Sequence, residues 1–123
     1  MKIAIGCDPN AQSAKEDLIK FMNTKGYGSV TDFGSEDTIY AHVATKVAEA
    51  VAIGEYDRGI LICGTGIGVS ITANKVKGIR CALVHDVFSA KATRAHNDTN
   101  MLAMGQRVIG EGLALEILNA WLH

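Results

Sequence analysis

The chain has 123 residues, 48% of them hydrophobic and 20% charged, and its 12 basic and 13 acidic side chains leave a formal net charge of -1. That length predicts one domain able to build its own core, and the balanced charge leaves neither a basic field for nucleic acid nor an acidic tail. No apolar run approaches the roughly 20 residues of a membrane span, and 3 cysteines without a Cys-x-x-Cys pair argue against a disulfide framework or zinc site and for a reduced, cytoplasmic setting. The start, Met1-Lys-Ile-Ala-Ile-Gly6, turns polar too soon for a secretion signal and reads directly as a strand.

Residues 2–7 form that first strand, which stops at Asp8-Pro9-Asn10, where proline suits the beginning of a helix. Ala14, Leu18, Phe21 and Met22 share one face of the helix that follows, and Lys25-Gly26 ends it. Residues 29–33 predict a second strand. Residues 41–53 predict a helix carried by Val43, Val47, Ala50 and Val51 and closed at Gly54. Residues 58–63, the most apolar strand, run into a glycine-rich turn that opens a helix. A fourth strand is expected over 79–84, a helix over 88–95, a short fifth strand over 101–104 and a last helix over 111–122. Strands and helices alternating at this spacing predict βαβ units. The expected fold is a single domain over 1–123, a three-layer α/β/α sandwich with a five-stranded, mostly parallel sheet of Rossmann-like, flavodoxin-like order.

The densest chemical signal lies in Gly59-Ile-Leu-Ile-Cys63-Gly64-Thr65-Gly66-Ile-Gly68. A strand feeding a glycine turn delivers its last side chain, Cys63, to the carboxyl edge of a sheet, where open α/β sheets bind ligands. Gly64, Gly66 and Gly68 let backbone N–H groups point into one space and hold an anion at a helix start. A thiol there is favoured as the reactive thiolate; its competing role is packing, because cysteine is among the most buried residue types. Cys7 also ends a strand, but Asp8 beside it disfavours a thiolate, so packing is expected, and Cys81 is expected in the core. Asp8 reaches the Cys63 edge either as a ligand-facing carboxylate or as a helix cap. Tyr40, ahead of a helix, offers a ligand-facing hydroxyl or a hydrophobic staple.

His96-Asn97-Asp98 follows a helix and precedes a strand, and is expected near the same edge or at a subunit boundary. With Arg94 and Arg107 it would hold a phosphate or move protons. His42, His85 and His123 carry weaker claims, and no spacing suits a metal. The glycine loop is a poor dinucleotide fingerprint, because Val69 stands where the third glycine is needed, although Asp86 lies at the distance of a ribose-binding acid; no Walker loop occurs. A thiolate base, the Thr65 hydroxyl, a cradle of N–H groups and a basic clamp suit one reaction class that needs no cofactor. That class is proton transfer α to the carbonyl of a phosphorylated sugar, through an enediolate.

Gly6-Cys7-Asp8, the Gly59–Gly68 run, Arg94-Ala-His96-Asn97-Asp98-Thr99-Asn100 and Gly105-Gln-Arg107-Val-Ile-Gly110 together resemble the type B ribose-5-phosphate isomerase family. That family includes galactose-6-phosphate isomerases and isomerases of four-carbon sugar phosphates, and the resemblance spans essentially the whole chain. It implies Cys63 as catalytic base with Thr65 assisting, and the amides of Gly64, Gly66 and Gly68 holding the enediolate. It further implies that Asp8 and Asn97 bind sugar hydroxyls, His96 opens the furanose ring and Arg107 joins a phosphate clamp. The implied assembly is a homodimer or homotetramer whose site lies between subunits, with His96 and Asn97 reaching the neighbour's Cys63. Two departures stand out. The family's Gly-Cys-Asp-His corner reads Gly6-Cys7-Asp8-Pro9-Asn10 here. The family also usually continues beyond the last helix into a Gly-Gly-Arg-His segment with phosphate-binding arginines, whereas this sequence stops at His123. Ribose 5-phosphate is the substrate first implied; galactose 6-phosphate, a tetrulose phosphate, or a binding subunit without catalysis remain open.

Overall fold

The computed structural model describes residues 1–123. Strand and helix alternate throughout: β1 (Lys2–Cys7), a single 3-10 turn (Pro9–Ala11), α1 (Gln12–Lys25), β2 (Ser29–Asp32), α2 (Tyr40–Ala52), β3 (Arg58–Cys63), α3 (Ile67–Asn74), β4 (Cys81–Leu83), α4 (Val87–Asn97), β5 (Met101–Gly105) and α5 (Glu111–Leu122). All four strand pairings are parallel, and the sheet runs β2-β1-β3-β5-β4.

Side chains alternate across the sheet and so define two cores. Ile3, Ile5, Cys7, Ile60, Ile62, Leu102 and Met104 meet α1, α4 and α5, with Trp121 the largest buried side chain of that layer. Ala4, Leu61, Cys63, Met101 and Ala103 meet α2 and α3. The three-layer α/β class with five strands is therefore the one expected. The flavodoxin-like order holds for β2-β1-β3 and fails beyond it, since β5 sits between β3 and β4. Burial explains the exchange: every residue of β5 is buried, as a central parallel strand requires, whereas the three residues of β4 are all partly or fully exposed and suit an edge. For the same reason β4 is shorter than the 79–84 expected, and Cys81 is half-buried at its start, not enclosed in the core.

Asp8 caps the 3-10 turn by accepting from Asn10 N and Ala11 N at 3.1 Å each, and α1 begins only at Gln12. The α1 face contains Leu18 and Met22 as expected, but also Lys15, which is 3% exposed and meets Asp32 Oδ1 at 2.9 Å. No helix is long and apolar enough to cross a membrane.

Candidate active site

β1 has β2 on one side and β3 on the other, so successive connections leave it in opposite directions and open a crevice at the carboxyl ends of β1 and β3. Asp8 N donates to Ile62 O at 3.2 Å and ties the two ends together. Cys63 closes β3 there, 7% exposed. The chain then turns through Gly66, whose φ of 78° is the left-handed region that glycine enters without strain, and α3 starts at Ile67. A Cβ at Gly66 would also strike Leu83 Cδ1 at 2.6 Å and the Met104 carbonyl carbon at 2.8 Å.

The amides of this loop are unevenly satisfied. Gly66 N donates to Cys63 Sγ at 3.1 Å, and Ile67 N donates to Thr65 Oγ1 at 3.3 Å. The N–H groups of Gly64, Thr65, Gly68 and Val69 find no acceptor within the chain. Open donors at a helix start, with the positive end of the helix behind them, make a seat for negative charge. The glycine pattern pointed to residues 64–68; the Val69 amide belongs to the set as well, by its place in the first turn of α3.

Two side chains frame this cradle. The Tyr40 ring, at the first residue of α2, lies over Gly68, where a Cβ would come 2.6 Å from Cε1 and 2.8 Å from the hydroxyl oxygen. Arg107 N donates to Gly64 O at 3.0 Å, and its Cδ and Nε lie 3.6 and 3.7 Å from where a Gly64 Cβ would stand. The exposed Arg107 guanidinium has no ion pair in the chain. Asp8 stands at the end of β1 with one carboxylate oxygen spent on the turn and the other without a partner.

Not every expected residue arrives here. His96 and Asn97 end α4, which packs outside the sheet and leads into the start of β5. A helix that returns the chain to a parallel strand finishes at the amino edge, roughly 15 Å from Cys63 along β5 at about 3.3 Å per residue. The expectation that they lie near the Cys63 edge is thus corrected, and the subunit boundary is the alternative that remains. Arg94 stays with them, bonded to Asp98 Oδ1 at 3.2 Å and to Thr99 O, while Arg107 stands at the opposite edge; the cluster of both arginines with His96 does not form in one chain. Asp86 accepts from Ser89 N at 2.6 Å as the cap of α4. No three His, Cys, Asp or Glu side chains converge as a metal site would need.

The three thiols differ in environment. Burial pushes Cys7 up to about 11, with Lys15 opposing and Asp8 adding to the rise. Burial alone pushes Cys81 up to about 12. Both are protonated at neutral pH and poor nucleophiles. Cys63 is the thiol whose sulfur accepts a backbone N–H, from Gly66. A cavity of 240 Å³ between α1 and α5 is walled by Ile62 and Met104, on the face of the sheet opposite Cys63.

The switch point of this parallel α/β sheet thus presents a thiol, open amides and an arginine without an ion pair, groups suited to seating negative charge. The family model described as Ribose/Galactose Isomerase matches residues 3–123, and the chain belongs to that family. It is 50% identical over 124 residues to ribose-5-phosphate isomerase B of Escherichia coli, covering 98% of this chain and 83% of that protein. It is 46% identical over 126 residues to D-erythrulose-4-phosphate isomerase of Pectobacterium atrosepticum, covering 99% and 82%. Among solved structures, Clostridium thermocellum ribose-5-phosphate isomerase B matches with a TM-score of 0.94 at 48% identity, over 99% of this chain and 84% of that one. The chain therefore stands among the sugar-phosphate isomerases.

Proposed function

We propose that this protein interconverts ribose 5-phosphate and ribulose 5-phosphate through a cis-enediolate, with the Cys63 thiolate as base and no cofactor. The observation that carries this reading is the set of open amides at Gly64, Thr65, Gly68 and Val69 beside the Cys63 thiol. Sγ removes the proton from C2 of the open-chain aldose, and the electron pair moves onto the C1 carbonyl oxygen. The amides meet the charge that develops on that oxygen. The same thiol returns its proton to C1, while the proton on O2 passes to O1 with the help of the Thr65 hydroxyl, leaving the ketose. Asp8 and Tyr40 would hold sugar hydroxyls and Arg107 the phosphate. His96, as ring-opening acid, and Asn97 would come from a second copy of the chain in a homodimer or homotetramer. The free thiols suit a cytoplasmic setting.

One observation favours a different sugar. Asn10 is exposed, carries no positive charge beside Asp8, and its backbone N–H is already spent on that carboxylate. A phosphate seated differently would admit galactose 6-phosphate or a tetrulose phosphate.

 Turnover of ribose 5-phosphate, galactose 6-phosphate and erythrose 4-phosphate by the wild type and by Cys63→Ala tests both readings. The expected result is conversion of one sugar, reduced at least about a hundredfold in the variant. Full activity of Cys63→Ala would sink the mechanism, and binding of a sugar phosphate without turnover would favour a binding subunit.

A further inference from the structure

Gly105 closes β5, and its N–H donates to His85 Nε2 at 2.9 Å. The register explains why an imidazole stands there. Leu83 of β4 lies opposite Ala103 of β5, and Val84 N still donates to Ala103 O at 3.1 Å, so residue 85 falls opposite Gly105. A continued parallel ladder would give the Gly105 N–H a β4 carbonyl, but β4 ends at Leu83 and the ring takes that carbonyl's place. Because a peptide N–H only donates, Nε2 is the bare nitrogen, and a neutral ring then carries its proton on Nδ1.

The end of β5 is the floor of the amide cradle. Gly105 is the register partner of Cys63, Gln106 N donates to Cys63 O at 2.8 Å, and Arg107 N donates to Gly64 O at 3.0 Å. A Cβ on Gly105 would fall 2.5 Å from the Thr65 carbonyl carbon, so strand and loop are in direct backbone contact. We infer that His85 is a positioning residue: its bare Nε2 fixes the end of β5, and through Gly105 it sets the Gly64–Val69 amides and Arg107 around the Cys63 thiol. The structural part stands by itself; the effect on turnover rests on the isomerase reading above.

Two variants test it. His85→Ala removes the acceptor, and His85→Gln offers Oε1 where Nε2 stood. In the wild type, the ¹⁵N spectrum of the His85 ring at neutral pH is expected to show an unprotonated Nε2. In His85→Ala, the amides of Gly105, Gly66, Gln106 and Arg107 should exchange about tenfold faster, with the β1 amides unchanged. Turnover of the sugar phosphate that the wild type accepts should fall about tenfold or more, and His85→Gln should restore both. A protonated Nε2 overturns the inference. So does His85→Ala exchange that is unaltered, or faster equally across the chain. If the wild type turns over no sugar phosphate, the isomerase reading fails, while the exchange measurement still decides the role of His85.

Discussion

Gly68 and Gly105 both stand where a side chain would collide, and the two collisions differ in kind. At Gly68 the obstacle is the far end of the Tyr40 ring, which is 43% exposed and free to swing outward. At Gly105 the obstacle is the Thr65 backbone, which cannot step aside without carrying the cradle with it. Gly105→Ala is therefore expected to lower stability by about 1–3 kcal/mol and to remove most turnover. Gly68→Ala should stay within about 1 kcal/mol of the wild type and act on substrate affinity through Tyr40. Urea unfolding of the two variants separates these outcomes, and equal losses would contradict the argument. Much of this site was legible residue by residue, because Cys63, the glycines, Tyr40 and Arg107 all sit next to strand ends or helix starts that the sequence pattern marks. His85 was not, since its role depends on which strand lies beside β5.

α1 reaches the sheet through a charge as well as an apolar stripe. Lys15 is 3% exposed, whereas its partner Asp32 is 43% exposed as a side chain, so the two ends of the pair are not equivalent. Asp32→Asn leaves a buried ammonium without its counter-charge, and is expected to cost about 1–2 kcal/mol after allowance for solvent at the carboxylate. Lys15→Met removes the charge that needs a partner and should change stability by less than about 1 kcal/mol. Denaturant unfolding gives the order, and a larger loss for Lys15→Met would overturn it. Apolar periodicity cannot find such a lysine, because it scores every charge as solvent-facing. It does find elements bounded by apolar runs and glycines: β3 over 58–63 and α5 over 111–122 fall where expected. Strand order is another matter. Periodicity reports which face a residue buries, not which strand lies alongside, so β5 moving inside β4 was not legible.

At the scale of the molecule, chain direction decides what one copy can do. Cys63 lies at the carboxyl edge and His96 at the amino edge, and the strands between them hold the edges apart. Ile67 and Ile71, one turn apart on α3, and Phe88 on α4 leave 50%, 54% and 78% of their surface in water, apolar area that a second copy would suit. If each site takes its thiol from one subunit and His96 from the other, inactive variants must complement. Cys63→Ala and His96→Ala are each expected to lose activity alone. Refolded together in equal amounts, they form mixed dimers in which one of the two sites carries both mutations and the other neither. With half of the dimers mixed, about a quarter of wild-type activity should return. Were the site complete within one chain, every chain in the mixture would carry a lesion and no activity would return, and a His96→Ala variant active by itself would remove His96 from the mechanism altogether.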